Sequence, residues 1–63
     1  MVAIVEVGDG YVKFMRDGLI VAEVYALSSP NVWRCRVTKD HDFHEKEKAI
    51  EHAKQYLVDN EIC

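Results

Sequence analysis

Tyr11-Val12-Lys13-Phe14-Met15-Arg16-Asp17-Gly18-Leu19-Ile20-Val21-Ala22-Glu23-Val24-Tyr25-Ala26-Leu27 decides the fold. Two runs rich in β-branched and aromatic residues flank Asp17-Gly18. That pair suits a two-residue hairpin turn, whose central positions need positive φ. Alternation along the first run sets Val12 and Phe14 on one face and Tyr11, Lys13 and Met15 on the other. Along the second run it sets Ile20, Ala22, Val24 and Ala26 with the first group, and Leu19, Val21, Glu23 and Tyr25 with the second. The expected product is a long antiparallel hairpin with two distinct faces.

Upstream, Val2-Ala3-Ile4-Val5-Glu6-Val7 reads as a further strand, joined to the hairpin through Gly8-Asp9-Gly10. Downstream, Ser28-Ser29-Pro30-Asn31 gathers turn formers around the single proline. Val32 to Thr38 follows as a fourth strand, with Trp33, Cys35 and Val37 alternating against Arg34, Arg36 and Thr38. Lys39 to Asp42 is polar and reads as the exit turn. Beyond it, Ala49, Ile50, Ala53, Tyr56 and Leu57 form one apolar stripe at helical period. A helix is expected from about residue 43 to 59, opened by Asp42 with Glu45 or His44 with Glu47 as a capping arrangement and ended by Asp59-Asn60. The chain therefore reads as one α+β domain over residues 1–63, a four-stranded antiparallel β-meander with one C-terminal α-helix packed on one face (β-β-β-β-α).

Composition narrows the function classes. Sixty-three residues that are 49% hydrophobic and 30% charged have enough apolar material to fold, but only as one small domain. A net charge of −3 argues against a general nucleic-acid coat, which needs many cations to displace counterions. Residues 1–39 hold five basic residues against four acidic ones, whereas residues 40–63 hold three against seven, so the helix end is the acidic one. Two cysteines make no disulfide scaffold: Cys35 reads as a buried thiol and Cys63 as a frayed end. No signal peptide is recognised, and the apolar run Leu19–Leu27 is too short to span a membrane as a helix, so a reducing cytoplasm is the expected location.

The candidate chemistry is sparse. His41, His44 and His52 read as solvated residues on a polar turn and helix, since zinc needs three or four converging ligands. Glu45, Glu47 and Glu51 read as a solvated helix face. The three glycines sit in turns and form no phosphate-binding pattern. No catalytic, cofactor-binding or metal-ligating residue emerges, and enzyme activity is not expected.

What stands out is the sheet face opposite the helix. Tyr11, Lys13, Met15, Leu19, Val21, Tyr25, Arg34 and Arg36 are expected to share it. Tyr, Met and Arg are enriched at protein interfaces, so a protein partner is the first reading. A second copy is included, and a homodimer through this face is the expected closed form. Lys13, Arg34 and Arg36 beside Tyr11 and Tyr25 also fit the alternative, a sheet that reads nucleic acid by stacking and phosphate contact. The two differ in salt dependence, steep only for nucleic acid.

The second half, Trp33 through Phe43 and then Glu47-Lys48-Ala49-Ile50 with Ala53 and Leu57, resembles a layout common in small phage and prophage accessory proteins. The likeness implies a protein that binds and modulates a host protein. The tail is also similar to the end of a double-stranded RNA-binding domain. That family's first helix is missing here, however, and its lysine-rich last-helix start is replaced by Glu45-Lys46-Glu47-Lys48.

Overall fold

A computed structural model describes residues 2–27 and 31–61. Its elements run β1 (Ala3–Glu6), β2 (Tyr11–Arg16), β3 (Leu19–Ala26), β4 (Trp33–Arg36), β5 (Asp40–Phe43) and α1 (Lys46–Asp59). All five strands are antiparallel in the spatial order β1-β2-β3-β4-β5. The α+β meander and its C-terminal helix are as expected. Among the described residues the strand count is five rather than four, because residues read as the exit turn and the helix start pair with β4, Arg34 opposite Asp42 and Trp33 opposite Phe43.

The turns follow their chemistry. Asp17 and Gly18 both adopt positive φ, 53° and 81°, which matches a hairpin turn to the twist of its strands. Gly8 lies at φ 66°, where a Cβ would be strained. The Ser28-Ser29-Pro30 part of the expected loop and the Cys63 end lie outside the described residues.

The core is a single cluster of Val12, Phe14, Ala22, Val24 and Cys35 from the sheet with Ala49, Ala53 and Leu57 from α1. Small Ala49 and Ala53 let the helix backbone approach the sheet closely. Trp33, Val37, Phe43, Ile50 and Tyr56 pack around that cluster half-buried. The helix begins later than expected, at Lys46, and Glu45 at its N-cap makes no side-chain cap bond. Both anticipated capping pairs therefore fail, because β5 holds Asp42 and Phe43 in extended backbone up to the turn before α1.

Two core assignments are corrected by one local feature. Phe14 pairs with Ala22 but Met15 pairs with Ile20, so Val21 is an extra residue bulged out of β3. Beyond it the alternation of β3 is inverted. Val21, expected on the open face, packs against the core, whereas Ile20, expected in the core, is 50% exposed. Leu19 is moved too: it falls opposite Arg16, off the open-face set, and is 69% exposed at the hairpin tip. Ala26, also expected inside, is exposed at the end of β3.

One helix cannot cover this sheet. Five strands spaced by about 4.8 Å span about 19 Å between outer axes, while a helix with its side chains is about 10 Å across. The helix packs over β3, β4 and β5. β1 lies beyond the strands the helix packs over, reached on that side by Lys46 and bordered by Leu57 and Val58.

Candidate interaction surface

On the open face, register places the side chains in rows. Tyr11, Tyr25, Arg34 and Asp42 form one row, and Val5, Lys13, Glu23, Arg36 and Asp40 the next. Six of the eight residues singled out from the sequence, Tyr11, Lys13, Met15, Tyr25, Arg34 and Arg36, therefore share this face. Leu19 and Val21 do not, for the reason the bulge gives.

The cations do not form a basic stripe. Arg34 donates from Nε to Asp42 Oδ1 at 2.8 Å and from Nη2 to Asp42 Oδ2 at 3.3 Å, a two-pronged pair across β4 and β5. Asp40 lies 4.0 Å from the same guanidinium. The hydrogen bonds to Asp42 raise the Arg34 pKa further, with Tyr25 and Asp40 adding to the effect. Those bonds hold the Asp42 carboxyl below the usual carboxylate range. Arg36 stands opposite both Glu23 and Asp40, and Lys13 opposite Glu23. Tyr11 donates its hydroxyl to Glu23 at 2.7 Å, and that bond raises the Tyr11 pKa, because ionisation would set two anions together. Three cations thus meet three carboxylates, and the β3–β5 end of the face is zwitterionic.

The other end is apolar on both sides. Every residue of β1 is exposed. Ala3 and Val5 follow Met15 and Lys13 on the open face, while Ile4, opposite Phe14, faces the helix side. There Ile4 floors a groove of about 210 Å³ with Val2, Phe14, Leu57 and Val58, rimmed by Lys54. Ile4 is 46% exposed and Val58 57%. No strand among the described residues pairs with the outer edge of β1. Its single carboxylate, Glu6, is held 3.4 Å from Lys46 Nζ, which also lies 5.5 Å over the Trp33 ring.

The backbone of that edge can be read from one bond. Val7 N–H donates to Tyr11 O at 2.8 Å. Bonded pairs recur at every second residue of an antiparallel ladder, so Val5 with Lys13 and Ala3 with Met15 are the pairs that bond to β2. Ile4 and Glu6 therefore turn their N–H and C=O groups outward. Sequence reasoning missed this surface because it ranked strands by face and not by position in the sheet. The signal was present in Val2 to Val7, an apolar run broken only by Glu6, with no cation and no proline.

His41 and His44 are exposed as expected, though His41 lies on β5 and not in a turn. The His41 and His52 rings lie 4.5 Å apart between β5 and α1, and Phe43 lies 5.3 Å from His52. Forming β5 is what brings His41 to the helix. Cys35, opposite His41 in the register, is buried, and loss of hydration pushes its thiol pKa up to about 11. Among the described residues no three His, Cys, Asp or Glu side chains are grouped to hold a metal ion. Nor is any helix there long and apolar enough to cross a membrane.

No family model, curated protein or solved structure matches the chain.

Proposed function

We propose that this chain is a small protein-interaction module that takes an extended apolar segment of a protein partner as a strand beside β1. The observation that carries the reading is β1 itself: apolar, exposed on both faces and unpaired along its outer edge among the described residues. Strand addition draws affinity from main-chain hydrogen bonds and specificity from the side chains alternating above and below. Here those sides are the groove at Ile4 and the open-face patch of Ala3, Val5 and Met15. The modulator role implied by the layout resemblance is a special case of this reading.

Nucleic-acid recognition through Lys13, Arg34 and Arg36 is less well supported, since each stands in register with a carboxylate and the face has no net positive charge to release counterions. The separating test is a comparative capture. Protein partners retained by the wild-type chain should be lost with Ile4→Lys and kept with Leu19→Lys, with little change in raised salt. Labelled single- and double-stranded DNA and RNA should show no salt-sensitive binding. Capture unaffected by Ile4→Lys, or nucleic-acid binding abolished by Arg36→Ala, would refute the proposal.

A further inference from the structure

We infer that the strand added at β1 is the β1 of a second copy of this chain, antiparallel, with a two-fold axis through Ile4. The inference rests on the interaction reading above and names its partner. It begins from the outward groups. By the ladder alternation, Ile4 and Glu6 present N–H and C=O away from β2, and the same alternation carried back includes Val2. A symmetric antiparallel pair must bond outward residues to outward residues. Centring it on Ile4 matches Ile4 with Ile4 and Val2 with Glu6 in both directions, so all three outward residues are used. Centring it on Val5 would match Ile4 with Glu6 but leave Val2 facing Gly8, where φ of 66° has turned the chain out of the strand. The Ile4 register is the more complete one.

Side chains and charge agree with it. In that register Ala3 meets Val5 on the open side, which stays apolar across the junction, while on the helix side Ile4 meets Ile4 at the centre and Val2 meets Glu6 at either end. The partner's Val2 and Ile4 then lie alongside the mouth of the groove floored by Ile4 and rimmed by Lys54. A parallel pair would stack Glu6 on Glu6. The antiparallel pair sends the two carboxylates to opposite ends, each already beside its own Lys46 at 3.4 Å. The strand thus complements itself without bringing an unpaired charge into the junction. The opposite edge lacks this property, since β5 presents Asp40 and Asp42 and an antiparallel β5 pair would add acid to acid. One edge is open to a copy and the other is closed to it, which gives a closed dimer of two five-stranded sheets and not a fibre.

The test is sedimentation equilibrium of the whole chain from roughly micromolar to submillimolar concentration, the range that small interfaces occupy. The wild-type chain should move from monomer to twice the monomer mass and stop there. Ile4→Pro removes the outward N–H at the two-fold axis while leaving the β2 ladder bonds in place, and proline is tolerated on such an edge. Ile4→Lys opposes two cations at the axis. Both should weaken association by at least about tenfold, with circular dichroism unchanged. Leu19→Lys, at the exposed hairpin tip, and Tyr25→Ser, in the middle of the open face, should leave it intact. A wild-type monomer at every concentration would overturn the inference, as would a dimer lost with Tyr25→Ser and kept with Ile4→Pro. The broader interaction reading would survive a monomer that still captures a different protein through Ile4, and would fall if Ile4→Lys changes no capture at all.

Discussion

The two edges of the sheet are built from opposite materials. At β5, Asp40-His41-Asp42-Phe43 is a poor strand by propensity. It holds through what it touches: Asp42 is clamped by Arg34, Phe43 pairs with Trp33, and His41 and Phe43 lie against His52 of the helix. At β1, Ala3-Ile4-Val5-Glu6 is a good strand by propensity that touches little beyond β2 and the Glu6–Lys46 pair. Tertiary contact makes β5 and leaves it finished, with charge on its rim. Local preference makes β1 and leaves it unsatisfied. The contrast explains why the strand with the weaker sequence is the one the helix packs against, and why the edge with the stronger sequence is the one free to recruit a strand.

The largest effect should come from removing what finishes β5. Phe43→Ala should cost about 2 kcal/mol, less than for a fully buried phenylalanine because Phe43 is only half-buried. Ile4→Ala should cost under about 1 kcal/mol, because its side chain is nearly half exposed. Urea denaturation of both variants at a concentration low enough to keep the chain monomeric measures the difference. Equal losses would break the comparison.

Next in size is the response to alkali at Cys35, under the β4–β5 half of the sheet. Its folded pKa is raised to about 11 from 9.0, so its contribution is complete below pH 9 and is lost as pH rises towards 11. In a Cys63→Ser background the native thiol should react with a maleimide only slowly at neutral pH and at full rate in denaturant. Prompt native labelling would mean the core beneath β4 is open.

Acid should sharpen the contrast at the β5 rim. The folded pKa of Asp42 lies below its ordinary value of 3.8, so the Arg34 clamp stabilises the fold above that pH and is lost as pH falls through the lower folded value. Asp42→Asn should remove that part of the acid dependence. The smallest effect is expected for Tyr11→Phe, which deletes the bond to Glu23 at a half-exposed site. Its folded pKa is raised, so this contribution persists below pH 10.0 and disappears above the folded value. Spectrophotometric titration of tyrosine should show one phenol ionising late, absent in the variant.

Much of the fold was legible because Tyr11–Leu27 and the Ala49–Leu57 stripe carry their own periodicity and turn chemistry. The fifth strand was not, since nothing in Asp40-His41-Asp42-Phe43 favours extension until Arg34 and the helix are beside it. The bulge at Val21 escaped too: no glycine marks it, and a strict two-residue alternation read through it, misplacing Leu19, Ile20 and Val21 together. The open-face set was largely legible from alternation, but its charge balance was not. Glu23 was visible, whereas Asp40 and Asp42 joined that face only once β5 formed. The bare edge at β1 needed strand order and the width of one helix against five strands.

The central claim is that β1 is the edge that pairs, and a dilution series of amide nitrogen–proton spectra addresses it residue by residue. On raising concentration, the amides of Val2, Ile4 and Glu6 should shift together and exchange more slowly with solvent, while those of Asp40–Phe43 stay fixed. Shifts confined to β5 or to the Tyr11–Tyr25 face, or concentration-independent amides along β1, would contradict it.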